Sequence, residues 1–139
     1  MSASETNPEV LLPAGWPRPI GYSNGVAARG RVVFVAGQVG WDTTGVFAGD
    51  LLTQVRLALQ NIVAVLHAGG AEPRHLVRMT WYVLDRAAYR SARADIGRAY
   101  RDVMGPVYPA MTLVQVAGLL EDDALVEIEA TAVVPAEQA

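Results

Sequence analysis

The residues best suited to do chemistry are two glutamates near the end of the chain. Glu127 and Glu129 lie two residues apart in the segment VEIEATA, in which apolar and polar side chains alternate. Because successive side chains of a strand point to opposite faces, we expect both carboxylates on one face and the apolar residues on the other. A carboxylate held in a cleft can activate water or transfer a proton. The alternative, and the more common situation, is a pair of ordinary strand or interface carboxylates bound by arginine.

A second group of candidate site residues surrounds the first strongly apolar segment, Arg31–Val39. Tyr22 precedes this segment and could project its hydroxyl into a site, although a local turn explains its surroundings equally well. Gly37 and Gln38 lie near its end. Without a side chain, Gly37 permits unusual backbone angles and lets an anion or a carbonyl approach the backbone N–H groups. A β-bulge would explain the same glycine.

The residue types that the chain lacks exclude several kinds of catalysis. All 11 basic residues are arginine, so a lysine Schiff base, a pyridoxal-phosphate linkage and a P-loop are excluded. The absence of cysteine excludes a thiol nucleophile, a disulfide and a thiolate metal site. His67 and His75 do not have the spacing of a common pair of metal ligands. The sequence therefore predicts no metal site.

Charge and hydropathy predict a compartment and a class of partner. The formal net charge is -3, and the arginines are scattered rather than gathered into the basic stripe of a nucleic-acid binding protein. No apolar run approaches the roughly 18 residues of a membrane span, and the polar segment Met1–Val10 is unlike a secretory signal. We expect a cytoplasmic protein without nucleic-acid or membrane partners. With 52% hydrophobic and 18% charged residues, the chain has apolar surface to bury against other subunits.

The hydrophobic pattern predicts one α+β domain over residues 1–139, with an irregular arm over residues 1–20. A helix is expected over Leu51–Ala68, capped by Asp50 and ended by a pair of glycines, and a second helix over Ala87–Met104. The predicted order is β-β-α-β-α-β, the last β covering two strands separated by an acidic turn, with both helices on one face of the sheet. The expected strands are Tyr22–Ala28, Arg31–Val39, Val77–Leu84, Met111–Ala117 and Leu125–Val134.

Two of these strands lead to a prediction about assembly. In Val77–Leu84 and Met111–Ala117 both alternating faces are largely apolar. The helices would cover one face, and no further element remains in the chain for the other, as in strands that are buried on both sides. The sequence therefore predicts a homo-oligomer in which another copy covers the second face.

Several separated motifs between residues 22 and 134 resemble those of the Rid family, the reactive intermediate deaminases, also called YjgF proteins or L-PSP endoribonucleases. The family motifs are P-Y-S-Q, V-F-V-S-G-Q, Q-x-R-x-A-L-x-N-I and a C-terminal block that contains P-A-R-[ST] and E-I-E. The segments that resemble them, in the same order along the chain, are Gly21–Asn24, Phe34–Gln38, Gln54–Ile62, Pro109–Val116 and Val126–Ala130.

The resemblance implies a chorismate-mutase-like α+β fold with one mixed sheet, assembled as a homotrimer around a central barrel with clefts between subunits. In the family, these clefts hydrolyse small reactive enamines and imines to keto acids and ammonia without a metal ion or an organic cofactor. Carried over to this chain, Glu127 would be the catalytic residue. Gly37 and Gln38 would supply the backbone turn of the substrate site, and Tyr22 would line the cleft.

Met111 departs from the family pattern at the residue that binds the substrate carboxylate. Met111 and Thr112 stand where the family has Arg followed by Ser or Thr, so both are expected to line the substrate pocket. A thioether cannot replace the bidentate contact between a guanidinium and a carboxylate. Ala36 also replaces the family serine, and Gly97 aligns with a frequent helix asparagine.

Three interpretations of these departures stay open at the level of sequence. In the first, the protein is a deaminase of enamines or imines other than the small 2-imino acids. In the second, it is a non-catalytic trimer that binds a small molecule or another protein. In the third, Arg93 or another arginine reaches the cleft from a new direction. The retained Glu127, Gly37 and Tyr22 favour the first interpretation.

Overall fold

The computed structural model describes residues 7–136. Within that range the chain forms six strands, three helices and a short 3-10 turn at Pro73–His75. The elements are β1 (Glu9–Leu11), β2 (Gly25–Ala27), β3 (Arg31–Val39), α1 (Leu51–Ala68), β4 (Leu76–Val83), α2 (Arg86–Ser91), α3 (Arg93–Met104), β5 (Ala110–Gln115) and β6 (Val126–Val134). The predicted element order is therefore corrected at two places, an additional N-terminal strand and a divided second helix.

The main sheet is mixed. Its strand order within the described range is β3-β6-β4-β5, in which β6 pairs antiparallel with β3 and β4, and β4 pairs parallel with β5. Side chains of α1 and α3 pack with those of β4 and β6 in a continuous core. The predicted α+β class, with one mixed sheet and the main helices on one face, is confirmed.

The N-terminal arm differs from the prediction. β1 lies inside the segment predicted to be irregular, and it pairs antiparallel with β2, Val10 lying opposite Val26. The predicted strand Tyr22–Ala28 is reduced to β2, and its partner is β1. The backbone N–H and C=O groups of β2 need hydrogen-bond partners, and β1 supplies them, since Glu9–Leu11 lie opposite Ala27–Gly25. Residues 1–6 and 137–139 of the predicted domain lie outside the described residues.

Helix α1 has the predicted bounds. The Asp50 carboxylate accepts a hydrogen bond from the Thr53 N–H at 2.9 Å, which caps the first turn. At the other end Gly70 adopts a φ of 74°, the left-handed conformation that other residues resist. The apolar stripe of α1 is buried against the sheet. By length and mean hydropathy (1.3 over 18 residues) α1 could cross a membrane, but it packs here as a core helix.

The second helix is divided. The predicted continuous helix over Ala87–Met104 consists of α2 and α3, because Ala92 has a φ of -97° and a ψ of 8° and forms the boundary between them. The Asp85 carboxylate caps α2. No residue of α2 is buried, whereas α3 buries Ile96, Tyr100 and Met104 in the core. The side chains that α2 and α3 direct toward β5 form the wall of the cavity described below.

The face of the sheet opposite the helices is more polar than predicted. We call it the outer face, and it carries Phe34, Arg78, Thr80, Tyr82, Glu127 and Glu129. Alternation along β4 directs Met79, Trp81 and Val83 to the core instead. The expectation that both faces of this strand are largely apolar was wrong, since alternation places the polar groups of Arg78, Thr80 and Tyr82 together on the outer face. Large apolar side chains remain at the margins of the face, and Phe34 is 78% exposed.

Candidate functional site

A cavity of about 580 Å³ lies between α3 and the edge strand β5. Met111 and Leu113 of β5 and Trp81 of β4 form its floor, and residues of α2 and α3 form its wall. Of the site residues predicted from sequence, Tyr22, Met111 and Thr112 all line it. The volume is that of a pocket for a small organic molecule.

Tyr22 is positioned at the cavity by its neighbour Ser23. The Ser23 N–H donates to the Pro109 carbonyl at 3.0 Å, and Ser23 forms a parallel bridge with Ala110 at the start of β5. The Ser23 hydroxyl donates to the Tyr108 carbonyl as well. These contacts fix the irregular segment along the open edge of β5, so that Gly21 and Tyr22 close one end of the cavity.

Aromatic side chains form most of the cavity's deep wall. Tyr89 meets Trp81 edge to face at 6.3 Å between ring centroids, and Tyr100 stacks on Tyr108 at 5.6 Å. Burial raises the pKa of the Tyr100 phenol, and Tyr108 adds to the rise. Burial also raises the pKa of Tyr89, against the opposing effect of the Arg93 charge. The buried indole N–H of Trp81 has no acceptor among residues 7–136.

Arginines form the remaining, charged part of the wall. Arg98 is ion-paired with Asp95, and the Arg101 guanidinium donates to the Tyr108 hydroxyl oxygen at 3.1 Å. The Arg93 guanidinium makes neither an ion pair nor a hydrogen bond with any residue from 7 to 136. None of the described lining residues is an aspartate or a glutamate. The cavity therefore combines an aromatic interior with an excess of positive charge.

Gly37, Gln38 and Glu127 form a second group, at the bulge where β3 meets β6. A Cβ atom on Gly37 would lie 2.0 Å from Oε2 of Glu127, so the carboxylate rests directly on the glycine backbone. The φ of Gly37 is not positive, which corrects the expectation of unusual backbone angles. A glycine is required here because the Glu127 side chain lies too close to leave room for a Cβ atom. The Gln38 amide donates to the Ala36 carbonyl at 3.1 Å and is thus engaged locally.

The structure distinguishes the two glutamates of β6. Glu129 accepts a hydrogen bond from the Tyr82 hydroxyl at 2.6 Å. This hydrogen bond is the main reason that the pKa of Tyr82 is raised. The Glu127 carboxylate has no ion pair or hydrogen-bond partner within residues 7–136. Glu127 is therefore the carboxylate that is available for chemistry.

The two groups of predicted site residues are not brought together within one chain. Met111 lies on the helix-covered side of the sheet, beside the core, whereas Glu127 lies on the outer face. They also belong to different strands, and β4 separates β5 from β6. A reaction that uses both groups therefore requires the cavity of one copy to meet the outer face of another.

Two polar residues of the helix signature have a structural role. The Gln54 side chain, 1% exposed, donates to the carbonyls of Ala48 and Asp123 and accepts from the Leu125 N–H. The Asn61 amide donates to the carbonyls of Val39 and Trp41 at 3.1 and 3.0 Å. Both side chains hold the loops at the ends of β3 and β6, and they thereby position Gly37 and Glu127.

Sequence reasoning missed three tyrosines of the cavity, Tyr89, Tyr100 and Tyr108, and its arginines other than Arg93. Tyr89, Arg93, Gly97 and Arg101 recur every four residues, a spacing that places side chains on one side of a helix. That stripe lies beside the apolar stripe which identified the helix. A glycine within it indicates room for a ligand, since a Cβ atom on Gly97 would meet nothing within 4 Å.

Across residues 7–136, no group of three or more His, Asp or Glu side chains is arranged to hold a metal ion. His75 is buried, and its ring accepts a hydrogen bond from the Glu72 N–H at 3.0 Å.

Comparison with known proteins agrees with the fold. The family model described as endoribonuclease L-PSP matches residues 17–134. A RutC family protein of Pyrococcus horikoshii is 35% identical over 127 residues, which are 89% of this chain and 96% of that protein. A protein of Escherichia coli K12 described as a putative reactive intermediate deaminase, TdcF, is 34% identical over 119 residues, 84% of this chain and 90% of that protein.

Solved structures agree as well. The Yersinia pestis protein YyfB, described as a member of the conserved Rid protein family, superposes with a TM-score of 0.79 at 34% identity, covering 93% of this chain and 100% of that one. Escherichia coli TdcF, crystallised with bound serine, gives a TM-score of 0.65 at 32% identity, covering 91% and 98%. The chain belongs to the Rid (YjgF) family, whose family model is described as endoribonuclease L-PSP.

Proposed function

We propose that the protein is a hydrolytic deaminase of a reactive enamine or imine. The observation that carries the proposal is the Glu127 carboxylate, which lies against the bare backbone of Gly37 without another partner in the described chain. Water and an imine nitrogen can both approach such a carboxylate. The name reactive intermediate deaminase, given to the similar Escherichia coli protein, supports this reaction class.

The proposed reaction consumes one water molecule and releases one ammonia molecule. An enamine first takes up a proton at carbon and loses one from nitrogen, which converts it to the imine. The Glu127 carboxylate accepts a proton from water as the water oxygen bonds to the imine carbon, and it returns the proton to nitrogen. The proton of the newly added hydroxyl group then passes to nitrogen as the C–N bond breaks, so nitrogen leaves as ammonia and the carbonyl product keeps the oxygen of water. No electron transfer takes place, so the reaction needs no redox partner.

We further propose that the site is completed by assembly. Within one chain, Glu127 faces away from the cavity that contains Tyr22 and Met111. A homotrimer, which the family resemblance implies, would place the cavity of one subunit against the outer face of the next. The substrate would then bind in the cavity and react with Glu127 of the neighbouring copy.

Met111 limits the substrates that this site accepts. A thioether on the cavity floor offers no charge-assisted hydrogen bond to a substrate carboxylate. We therefore expect weak activity on 2-aminoacrylate and similar small 2-imino acids. Apolar contacts with Met111, Leu113 and Trp81 would instead favour a bulkier substrate.

The experiment that tests the proposal measures ammonia release from uncharged and aromatic imines that are generated in situ. Glu127→Gln should lower the rate by about 10²- to 10⁴-fold, the usual contribution of a general acid-base residue. Glu129→Gln is the matched control, because its amide oxygen still accepts from Tyr82. An unchanged rate in Glu127→Gln would remove this residue from the mechanism.

A non-catalytic binding trimer is the second candidate function. It is favoured by the apolar or bare residues Ala36, Gly97 and Met111 at positions where the family resemblance implies polar groups. The same assay discriminates between the candidates. A binding protein would take up ligands in the cavity and release no ammonia above the spontaneous rate from any imine in the panel.

A further inference from the structure

Arg93 lies at the wall of the cavity, and no other group in the described chain neutralises its charge. Arg93 is the first residue of α3 and is exposed. Its guanidinium has no ion pair or hydrogen bond within residues 7–136. We propose that Arg93 is the anion-binding residue of this site, and that the cavity takes a carboxylate attached to an aromatic body. The proposal rests on the proposed function for the identity of the substrate as an imine, but not for the binding itself.

The charges around the cavity favour this role for Arg93 over its neighbours. Arg98 is already neutralised by Asp95. Arg101 is held by the Tyr108 hydroxyl, which leaves its charge in place but restrains its guanidinium. Because no acidic residue lies among the described lining residues, and Asp95 neutralises Arg98 alone, the charges of Arg93 and Arg101 are uncompensated. A carboxylate beside Arg93 would supply the missing negative charge and could accept two hydrogen bonds from the guanidinium.

The shape of the cavity selects the rest of the ligand. A volume of about 580 Å³ exceeds what a three-carbon acid fills, and such an acid would leave the aromatic wall in contact with water. Trp81 and Tyr89 present faces and edges that suit an aromatic ring. At Gly97 the helix carries no side chain, and the space beside it is open. A ring could therefore lie between α3 and Met111, with its carboxylate at Arg93.

This arrangement moves the anion-binding group from the strand to the helix. In the family pattern an arginine follows Pro-Ala, at the place of Met111, and so it would rise from the cavity floor. Here the cation belongs to α3, on the opposite wall, and the floor is apolar. The substrate class that follows is an imine with a carboxylate and an aromatic side chain, rather than the small 2-imino acids.

The test is a binding measurement on the full, assembled protein by titration calorimetry, with 3-phenylpropanoate and its neutral isostere 3-phenylpropanamide as probes. The acid should bind more tightly than the amide. Arg93→Gln should weaken binding of the acid by about ten- to a hundredfold, the usual cost of losing a hydrogen-bonded charge, and leave the amide unaffected. Arg90→Gln, on α2 and outside the cavity, is the matched control and should bind as the native protein does.

A second variant tests the location of the ring. Gly97→Leu places a side chain in the open space at α3 and replaces a poor helix former by a good one, so it should fold and bind neither probe. Equal affinity for acid and amide, or unchanged binding of the acid to Arg93→Gln, would overturn the proposal. Failure of the deaminase proposal would give a different result: the native protein would bind the acid as expected but release no ammonia from any imine.

Discussion

Glu127 and Glu129 are equivalent in the sequence and different in the structure. Alternation along the strand correctly placed both on one face, because the period of two is fixed by strand geometry. Which glutamate is engaged could not be predicted, since Tyr82 lies on another strand and the pairing depends on the register between β4 and β6. The same holds for Gly37, whose importance is the proximity of Glu127 rather than its own backbone angles.

Met111 provides a direct prediction at the level of one side chain. Met111→Arg would restore a guanidinium to the cavity floor, and we expect it to raise ammonia release from 2-aminoacrylate by about tenfold or more. Met111→Leu keeps an apolar side chain of similar size and should leave that rate low. Rapid turnover of 2-aminoacrylate by the native protein would contradict the interpretation, because it would mean that the site does not need an anchor at this position.

At the level of elements, local signals predicted α1 well and the region around Ala92 poorly. α1 has a capping aspartate, a stripe of apolar residues and terminal glycines, all of which act within the helix itself. Alanine is the best helix former, so nothing local at Ala92 indicates a boundary. The division there lets α2 remain exposed while α3 enters the core, which is a consequence of packing. The pairing of β1 with β2 was missed for the same reason.

The prediction at the level of elements concerns the buried side chain of Gln54. Its buried amide joins α1 to the loop before the helix and to the start of β6. Gln54→Ala should lower the free energy of unfolding by about 2–4 kcal/mol, because the Leu125 N–H and the two carbonyls lose their partner. Urea denaturation at fixed protein concentration measures this change. Gln60→Ala, exposed on the same helix, should stay within about 0.5 kcal/mol of the native protein, and an equally small effect of Gln54→Ala would refute the structural role.

For the whole molecule, the composition suggested surface shared between copies, and the outer face is the natural place for it. Its centre is polar, with Glu127, Glu129 and Tyr82, and its margins carry exposed apolar side chains such as Phe34 and Val114. The apolar character of this face was overestimated because the polar groups of Arg78, Thr80 and Tyr82, which alternation brings together on it, were given too little weight. What it could not indicate is the separation of the site into a cavity and an opposite carboxylate, since that requires the fold.

The prediction for the whole molecule is that it assembles as a trimer. Light scattering at micromolar concentration should give three times the mass of one chain. Phe34→Asp, which places a charge on an exposed apolar margin of the outer face, should shift the mass toward one chain and lower ammonia release together with it. Phe34→Leu should preserve both. A stable monomer with full activity would show that Glu127 and the cavity do not need a second copy.

The position of Trp81 gives the molecule an optical reporter. Of the three tryptophans in the chain, Trp16 is 56% exposed and Trp41 packs against Phe47, and neither is among the described residues that line the cavity. Trp81 is 4% exposed and forms the cavity floor with its indole N–H unpaired in the described chain. A variant with Phe at positions 16 and 41 would thus emit from this one indole. Its fluorescence would register occupancy of the cavity in real time, with or without turnover, and without any attached dye.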